Sequence, residues 1–326
     1  MNILITGALG FIGSHIAQHY LQKGDHVIGI DNRSGWYPLR VYNYTESLLM
    51  KHTFFSFHPL DIRRHTELSS FVQKVNPDIV IHAAALTGIR DCAQRPYECM
   101  ETNALATQGL LEACKTIGDV RLVLLSSSSV YGDQPGVPFE ENALLNPKSI
   151  YAISKQTVET MAVYYSRHYR LPILMIRPFS VYGPRGRMNM LPHMLLASVI
   201  TATPFLQFGT NTQNKRDWTH VDDFIYALGR IINTHKTGYD VFNIGSGNPV
   251  GIVDFIKTFR KHLSLMTSAP LRIIHKPKPL YEMEITHADT TKLIDHIGVI
   301  PKTSLDKGLG NLLTYYRANR NIYFPK

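Results

Sequence analysis

The stretch NILITGALGFIG, residues 2–13, constrains the fold of this chain more than any other. A short apolar run (NILIT, 2–6) meets three glycines, Gly7, Gly10 and Gly13, spaced G-x-x-G-x-x-G. An apolar-periodic run follows that reads as a helix near 11–23. Glycine at such points permits positive φ and a close approach of the backbone. The helix then offers its first amides, from Phe11 and Ile12 onward, to an anion such as a pyrophosphate. The glycines alone are a weak signal. Set between a strand and a helix, with HVIGI (26–30) following as a second strand, they define a β-α-β unit that binds a dinucleotide.

The second strand ends at Asp31, with Asn32 after it, 18 positions beyond Gly13. A carboxylate there accepts hydrogen bonds from ribose hydroxyls and repels a 2′-phosphate, which favours NAD over NADP. Arg33 is the opposing signal, since a nearby arginine accommodates that phosphate. Asp61 and Ile62 follow the third strand and are placed to reach the adenine. HAAA, 82–85, ends the fourth strand, and the small side chains of Ala83, Ala84 and Ala85 let a cofactor lie close to the backbone.

The same alternation continues. TFFSFH (53–58), DIVIHA (78–83), VRLVLLS (120–126) and PILMIR (172–177) read as strands, with helices expected near 64–75, 98–117 and 150–169. Continuous apolar strands separated by helices predict a parallel sheet covered on both faces. The expected fold is α/β, a doubly wound parallel Rossmann sheet with a smaller C-terminal α/β substrate-binding domain. The texture changes after residue 178, where Pro and Gly cluster in RPFSVYGPRGRMN. Residues 1–178 are therefore expected to form the cofactor domain and 179–326 the substrate domain. Residues 219–246 are expected to return to the first, because VFNIGSG reads as a core strand.

A chain of 326 residues accommodates two such units. Its 44% hydrophobic and 18% charged content is that of an ordinary globular protein. The formal charge of +9 is spread along the chain, which suits an anionic small substrate better than nucleic acid. Cys92, Cys99 and Cys114 match no zinc pattern, no metal site is expected, and reduced thiols in the cytoplasm are the simplest reading. The first residues enter a strand at once with no signal peptide in view. MLPHMLLASVI is broken by Pro192 and His193 and is too short to span a bilayer, so no membrane partner is expected.

YAISK holds Tyr151 and Lys155, an i,i+4 pair on one helix face. A tyrosine with its usual pKa near 10 is a poor base at neutral pH. A lysine ammonium and an oxidised nicotinamide ring both favour the phenolate, each unit of lowering being worth about 1.4 kcal/mol. Such a group removes a proton from a substrate hydroxyl as hydride leaves the same carbon. The pair alone is common by chance. Its position after LLSSSSVYG (124–132), a serine run at the end of the fifth strand, makes it specific.

At these residues the chain resembles the extended short-chain dehydrogenase/reductase family of nucleotide-sugar epimerases and dehydratases. TGALGFIG, DN, HAAA, SSSSVYG, YAISK, RPFSVYGPRGR, KRDWTHVDD and FNIGSG stand in family order over essentially the whole chain. Within the family it looks closest to UDP-glucuronate 4-epimerases, through GIR after HAA, VYGPRGRMNM and the C-terminal IGVIPKTSLDKGLGNLLTYYRA. The resemblance implies Tyr151 as base, Lys155 as its helper, and Ser127, five before Gly132, as the hydroxyl that bonds the reacting oxygen. It also implies Asn103 near the cofactor, Pro178 against the nicotinamide amide, and Arg216 on the nucleotide's diphosphate. A bidentate guanidinium suits that last role.

Oxidation of a glucuronate at carbon 4 makes a β-keto acid, which loses carbon dioxide readily. Donors must therefore hold the carboxylate out of alignment; Ser128, Ser129, Thr87 and Arg185 are the candidates, with Arg187 as the alternative to Arg185. The resemblance implies a 4-keto intermediate, no net redox change and a homodimer; Val158, Met161 and Tyr165 suit either a helix pair or the core. Dehydratases and decarboxylases of the family carry acids after the catalytic hydroxyl, where Ser128 and Ser129 stand here. Other hexose epimerases, or a non-catalytic NAD-binding regulator, are the remaining readings. One departure concerns the uridine ribose: Glu282 keeps an acidic place, while Tyr281 stands where glycine is expected. A second is the loop NRSGWYPLRVYNY, whose Trp36 and three tyrosines are expected to pack on the protein itself.

Overall fold

Strand β1 (Asn2–Thr6) shows why the chain builds a two-sided sheet. Ile3 and Ile5 point to one face and Leu4 to the other, and all three are fully buried. Burying a side chain of this size stabilises by about 1.5–3 kcal/mol. The same period of two recurs in β2 (His26–Asp31), β3 (Phe55–Pro59), β4 (Ile79–His82), β5 (Arg121–Leu125) and β6 (Ile173–Pro178). The structure is a computed structural model that describes all residues except 36, 135, 210–213, 236, 278–282, 300–301 and 326.

Between these strands run α1 (Phe11–Gln22), α2 (Leu39–Leu49), α3 (His65–Val75), α4 (Ile89–Gln94), α5 (Pro96–Met100), α6 (Ala106–Ile117) and α7 (Ile150–Tyr169). Three strands follow β6: β7 (Ser180–Tyr182), β8 (Phe205–Phe208) and β9 (Lys215–His220), with α8 (Leu191–Ile200) before β8. Then come α9 (Val221–Thr234), β10 (Tyr239–Ile244), β11 (Pro249–Gly251), α10 (Ile252–Leu263) and β12 (Ile273–Lys276). The last elements are α11 (Thr291–Ile297), α12 (Leu305–Ala318) and α13 (Arg320–Tyr323).

The main sheet has seven parallel strands in the order β10-β6-β5-β4-β1-β2-β3. One face packs on α1, α2, α9 and α11 through Ile16, Tyr20, Phe224 and Leu293. The other packs on α3, α6 and α7 through Leu68, Leu110, Val158 and Ala162. Strand order reverses between β4 and β1. Such a switch point opens a crevice beyond the carboxyl ends of the strands. Residues 221–244 contribute α9 and β10, the latter paired with β6 along its whole length. A three-stranded sheet (β11-β9-β7) and the pair β12-β8 flank a separate core that includes Leu195, Phe255, Phe259 and Leu312.

The helix expected over 98–117 is broken. A π turn at Glu101–Leu105 separates α5 from α6. The extra residue turns Asn103 inward, where its amide bonds the backbone of Leu86. The cysteines also differ from expectation. Cys92 and Cys99, read as free thiols, form a disulfide, because α4 and α5 fold back and bring their Cα atoms to 5.3 Å. Cys114 is free and buried. Val158 and Tyr165 belong to the core under α7, which leaves Ile153, Tyr164 and Tyr169 as exposed large apolar residues of that helix. Among the described residues no helix is long and apolar enough to cross a membrane.

Candidate active site

The crevice at the switch point deepens into a cavity of about 840 Å³. One wall is the glycine turn. Gly7 has φ +66°, and a Cβ there would stand 2.8 Å from the Ala84 backbone. A Cβ on Gly13 would come within 2.1 Å of the Gly7 carbonyl. Gly10 precedes α1 and no side chain caps that helix, so its first N–H groups are left for a ligand. These features fit a dinucleotide pyrophosphate lying on the backbone. Phe11, Ile12, Asn32, Ile62, Ala83, Ala84 and Ala85 line the same wall.

Asp31 closes that wall. Its carboxylate accepts from Leu9 N at 3.1 Å and Arg33 N at 2.7 Å. Burial pushes its pKa up to about 6, against the pull of those bonds. The Arg33 guanidinium is committed elsewhere, ion-paired with Glu46 and stacked over Phe57. Asp61 is not in the cavity lining. It is chelated by Arg63 and bonded by Asn32, and the Arg63 bonds hold its pKa down at about 2. Asn103 is likewise away from the wall. Its Oδ1 accepts from Leu86 N at 2.8 Å, and its Nδ2 donates to Leu86 O and to Ser154 Oγ, both at 2.9 Å. Asn103 thus holds the loop after β4 at Leu86, which lines the cavity.

Tyr151, Lys155 and Ser127 share the cavity with Pro178. Lys155 Nζ donates to Leu125 O at 2.8 Å. Burial lowers its pKa to about 8, while the Glu159 carboxylate one turn along α7 acts to raise it. Burial raises the Tyr151 phenol; the Arg187 charge, then the Ser127 hydroxyl, draw it back down. The lysine ammonium and the nicotinamide ring were the expected cations, so Arg187 is an addition. Ser127 sits at the start of a 3₁₀ turn (Ser128–Tyr131), and its Oγ accepts from Ser129 N at 3.2 Å and Ser129 Oγ at 2.9 Å. Ser128 and Ser129 line the cavity with it.

The two arginines of GPRGR part company. Arg187 lines the cavity and donates to Thr87 Oγ1. Arg185 does not: it has φ +61°, is buried, and donates to Gln18 Oε1 at 2.8 Å behind the wall. Arg185 is therefore removed from the candidates for a substrate carboxylate. Arg216 lines the far end beside Trp218 and is held by Met283 O at 2.8 Å. Glu282 and Trp36 lie outside the described residues. Sequence reasoning missed Arg90, which lines the cavity and stacks on Phe208 at 3.9 Å. It is the last residue of GIR, a motif noticed for kinship and given no role. Asn189, two after Arg187, also lines the cavity.

Fold and site together define a dinucleotide-binding enzyme of the extended short-chain dehydrogenase/reductase type. The chain belongs to the NAD dependent epimerase/dehydratase family, which it matches over residues 3–245. It is 31% identical to the UDP-glucuronate 4-epimerase of Thermodesulfobacterium geofontis, over 97% of this chain and 96% of that one. The crystal structure of UDP-glucuronic acid 4-epimerase from Bacillus cereus, in complex with UDP-glucuronic acid and NAD, is similar with a TM-score of 0.90. The two share 33% identity over 98% of this chain and 100% of the other. The UDP-glucose 4-epimerase of Thermotoga maritima is 26% identical with a TM-score of 0.87, covering 98% of this chain and 100% of that one.

Proposed function

We propose that this chain is an NAD-dependent 4-epimerase that interconverts UDP-glucuronate and UDP-galacturonate through a 4-keto sugar. The observation that carries the sugar assignment is the pairing of Arg187 with Thr87 in the cavity that holds Tyr151, beside a serine turn without acids. The kinship with UDP-glucuronate 4-epimerases supports it.

In this reading Gly7, Gly10, Gly13 and the α1 amides hold the pyrophosphate, and Asp31 takes the ribose hydroxyls. NAD supplies a hydride acceptor that later returns the hydride. Tyr151 removes the proton from the sugar's 4-hydroxyl, Ser127 bonds the same oxygen, and Lys155 and Arg187 favour the phenolate. The keto sugar turns over while Arg216 anchors the diphosphate, so that hydride returns to its other face as Tyr151 gives the proton back to the 4-oxygen. Arg187, Thr87, Ser128 and Ser129 hold the carboxylate so that its bond to the ring stays out of line with the carbonyl π system.

Residues 1–178 with 219–246 serve the cofactor in this reading, and 179–326 the nucleotide sugar. A cytoplasmic homodimer completes it, with burial shielding the Cys92–Cys99 bridge from reducing thiols. The test is incubation with a panel of UDP-sugars and NAD, with products identified by NMR. Galacturonate from glucuronate is the expected product. Turnover of neutral UDP-hexoses alone would overturn the sugar assignment, and carbon dioxide with a pentose product would make the protein a decarboxylase.

Cofactor choice gives a pH-dependent prediction. The Asp31 carboxyl, at about 6, stands above its ordinary value, so it takes up a proton as pH falls through 6. The neutral form accepts ribose hydroxyls less well and no longer repels a 2′-phosphate. At pH 5, one unit below that pKa, NAD affinity should drop about tenfold relative to pH 8. The preference over NADP should narrow with it. Dissociation constants for both nucleotides at the two pH values check this; a constant ratio would remove Asp31 from the ribose.

A further inference from the structure

A buried ion pair lies behind the serine turn. Arg177 donates from Nε to Glu159 Oε1 at 3.0 Å and from Nη2 to Glu159 Oε2 at 2.7 Å. Each side chain of the pair is 5% exposed. Desolvating two charges is costly, and an apolar pair of similar volume is often as stable. The bonds that radiate from this pair show what it organises.

Ser126, at the strand end that leads into the turn, donates from Oγ to Glu159. Tyr131, the last residue of the turn, receives a bond from Arg177 Nη1 at 2.8 Å and donates to Asn243 Oδ1 at 2.7 Å. The same Nη1 reaches Glu141 O at 2.8 Å. Leu125, just before the turn, is gripped through its carbonyl by Lys155, one helical turn from Glu159. Both ends of the segment are thus tied to one pair of charges. In the middle Ser127 Oγ accepts from Ser129, and its hydroxyl meets the Tyr151 phenol it serves. The position of that hydroxyl is inherited from the ends.

We propose that the Glu159–Arg177 pair is the positioning element for Ser127, fixing the turn at Ser126 and Tyr131 so that the hydroxyl meets the reacting oxygen beside Tyr151. The proposal rests on the 4-epimerase reading for the role of Ser127. Neither Glu159 nor Arg177 lines the cavity. They act through the turn, and misplacement by about 1 Å is enough to cost about 10²-fold in rate.

Ser126→Ala tests it with little risk to folding. Glu159 Oε1 keeps its bond from Arg177, so no buried group is orphaned. The assay uses whichever nucleotide sugar the unmodified protein turns over best, so failure of the 4-epimerase reading shows in the unmodified protein and failure of this proposal only in the variant. The expected result is a fall in kcat of about tenfold, with KM and the NAD dissociation constant within about twofold of the unmodified values. Ser126→Ala combined with Tyr131→Phe should lose more than the product of the single losses, because the two bonds hold one segment. Unchanged kcat in Ser126→Ala would overturn the proposal. So would a loss shared equally by kcat, KM and NAD binding, which would mark a general collapse of the cavity.

Discussion

Tyr151→Phe should lower kcat for epimerisation by about 10³-fold or more while leaving NAD affinity within a few-fold of the unmodified protein. The ring is packed against a small cluster of Leu86, Cys92 and Cys99, and phenylalanine preserves that packing. What is lost is the hydroxyl. The described groups that act with it are not equivalent bases: Ser127 and Ser129 are hydroxyls bonded to one another, and Lys155 spends a proton on Leu125 O. Burial raises the phenol, and the Arg187 charge and then the Ser127 hydroxyl draw it back down. Stopped assays of product formation together with NAD titration separate the two quantities. Near-normal turnover by the variant would remove Tyr151 as the base, and lost NAD binding would mean that the ring supports the cofactor wall instead.

The parts of this site that follow from short-range pattern were legible in the sequence. Strand, glycine spacing and helix occur within 22 residues, and the i,i+4 spacing alone puts Tyr151 and Lys155 on one face of α7. Features set by irregular backbone were not. Arg185 and Arg187 are two apart in a loop where Gly183 and Arg185 both take positive φ, so no periodicity tells which side chain turns into the cavity. Asn103 lay in a segment read as a regular helix, and a single π turn rotated it onto Leu86. The Cys92–Cys99 bridge depends on how two short helices fold back, which their spacing of seven does not specify. The Glu159–Arg177 pair left a trace that went unread. Arg177 interrupts the otherwise apolar run PILMIR, and a charge at the end of a buried strand implies a buried partner.

Replacing Arg187 with methionine should separate two functions of one guanidinium. The first is general: its charge lowers the Tyr151 phenol, so its loss should move the rise of activity with pH toward higher pH for every substrate. The second is specific to a carboxylate. A charge-assisted hydrogen bond is worth about 1.5–3 kcal/mol. UDP-glucuronate should therefore lose a further 10- to 100-fold, roughly, in kcat/KM beyond the loss seen with UDP-glucose. Thr87, relieved of its bond from Arg187, remains with Ser128 and Ser129 as the neutral donors for the carboxylate. Neutral donors restrain it less firmly than a bidentate cation. Some turnovers should then end in alignment of the carboxylate bond with the 4-keto group, releasing carbon dioxide and leaving a UDP-pentose. The measurement is a pH profile of kcat/KM for both sugars, with carbon dioxide and pentose followed in the glucuronate reaction. Equal losses for the two sugars, with no pentose formed, would leave Arg187 acting on Tyr151 alone. The carboxylate would then have to be read by another cavity cation, and Arg90 is the first to test.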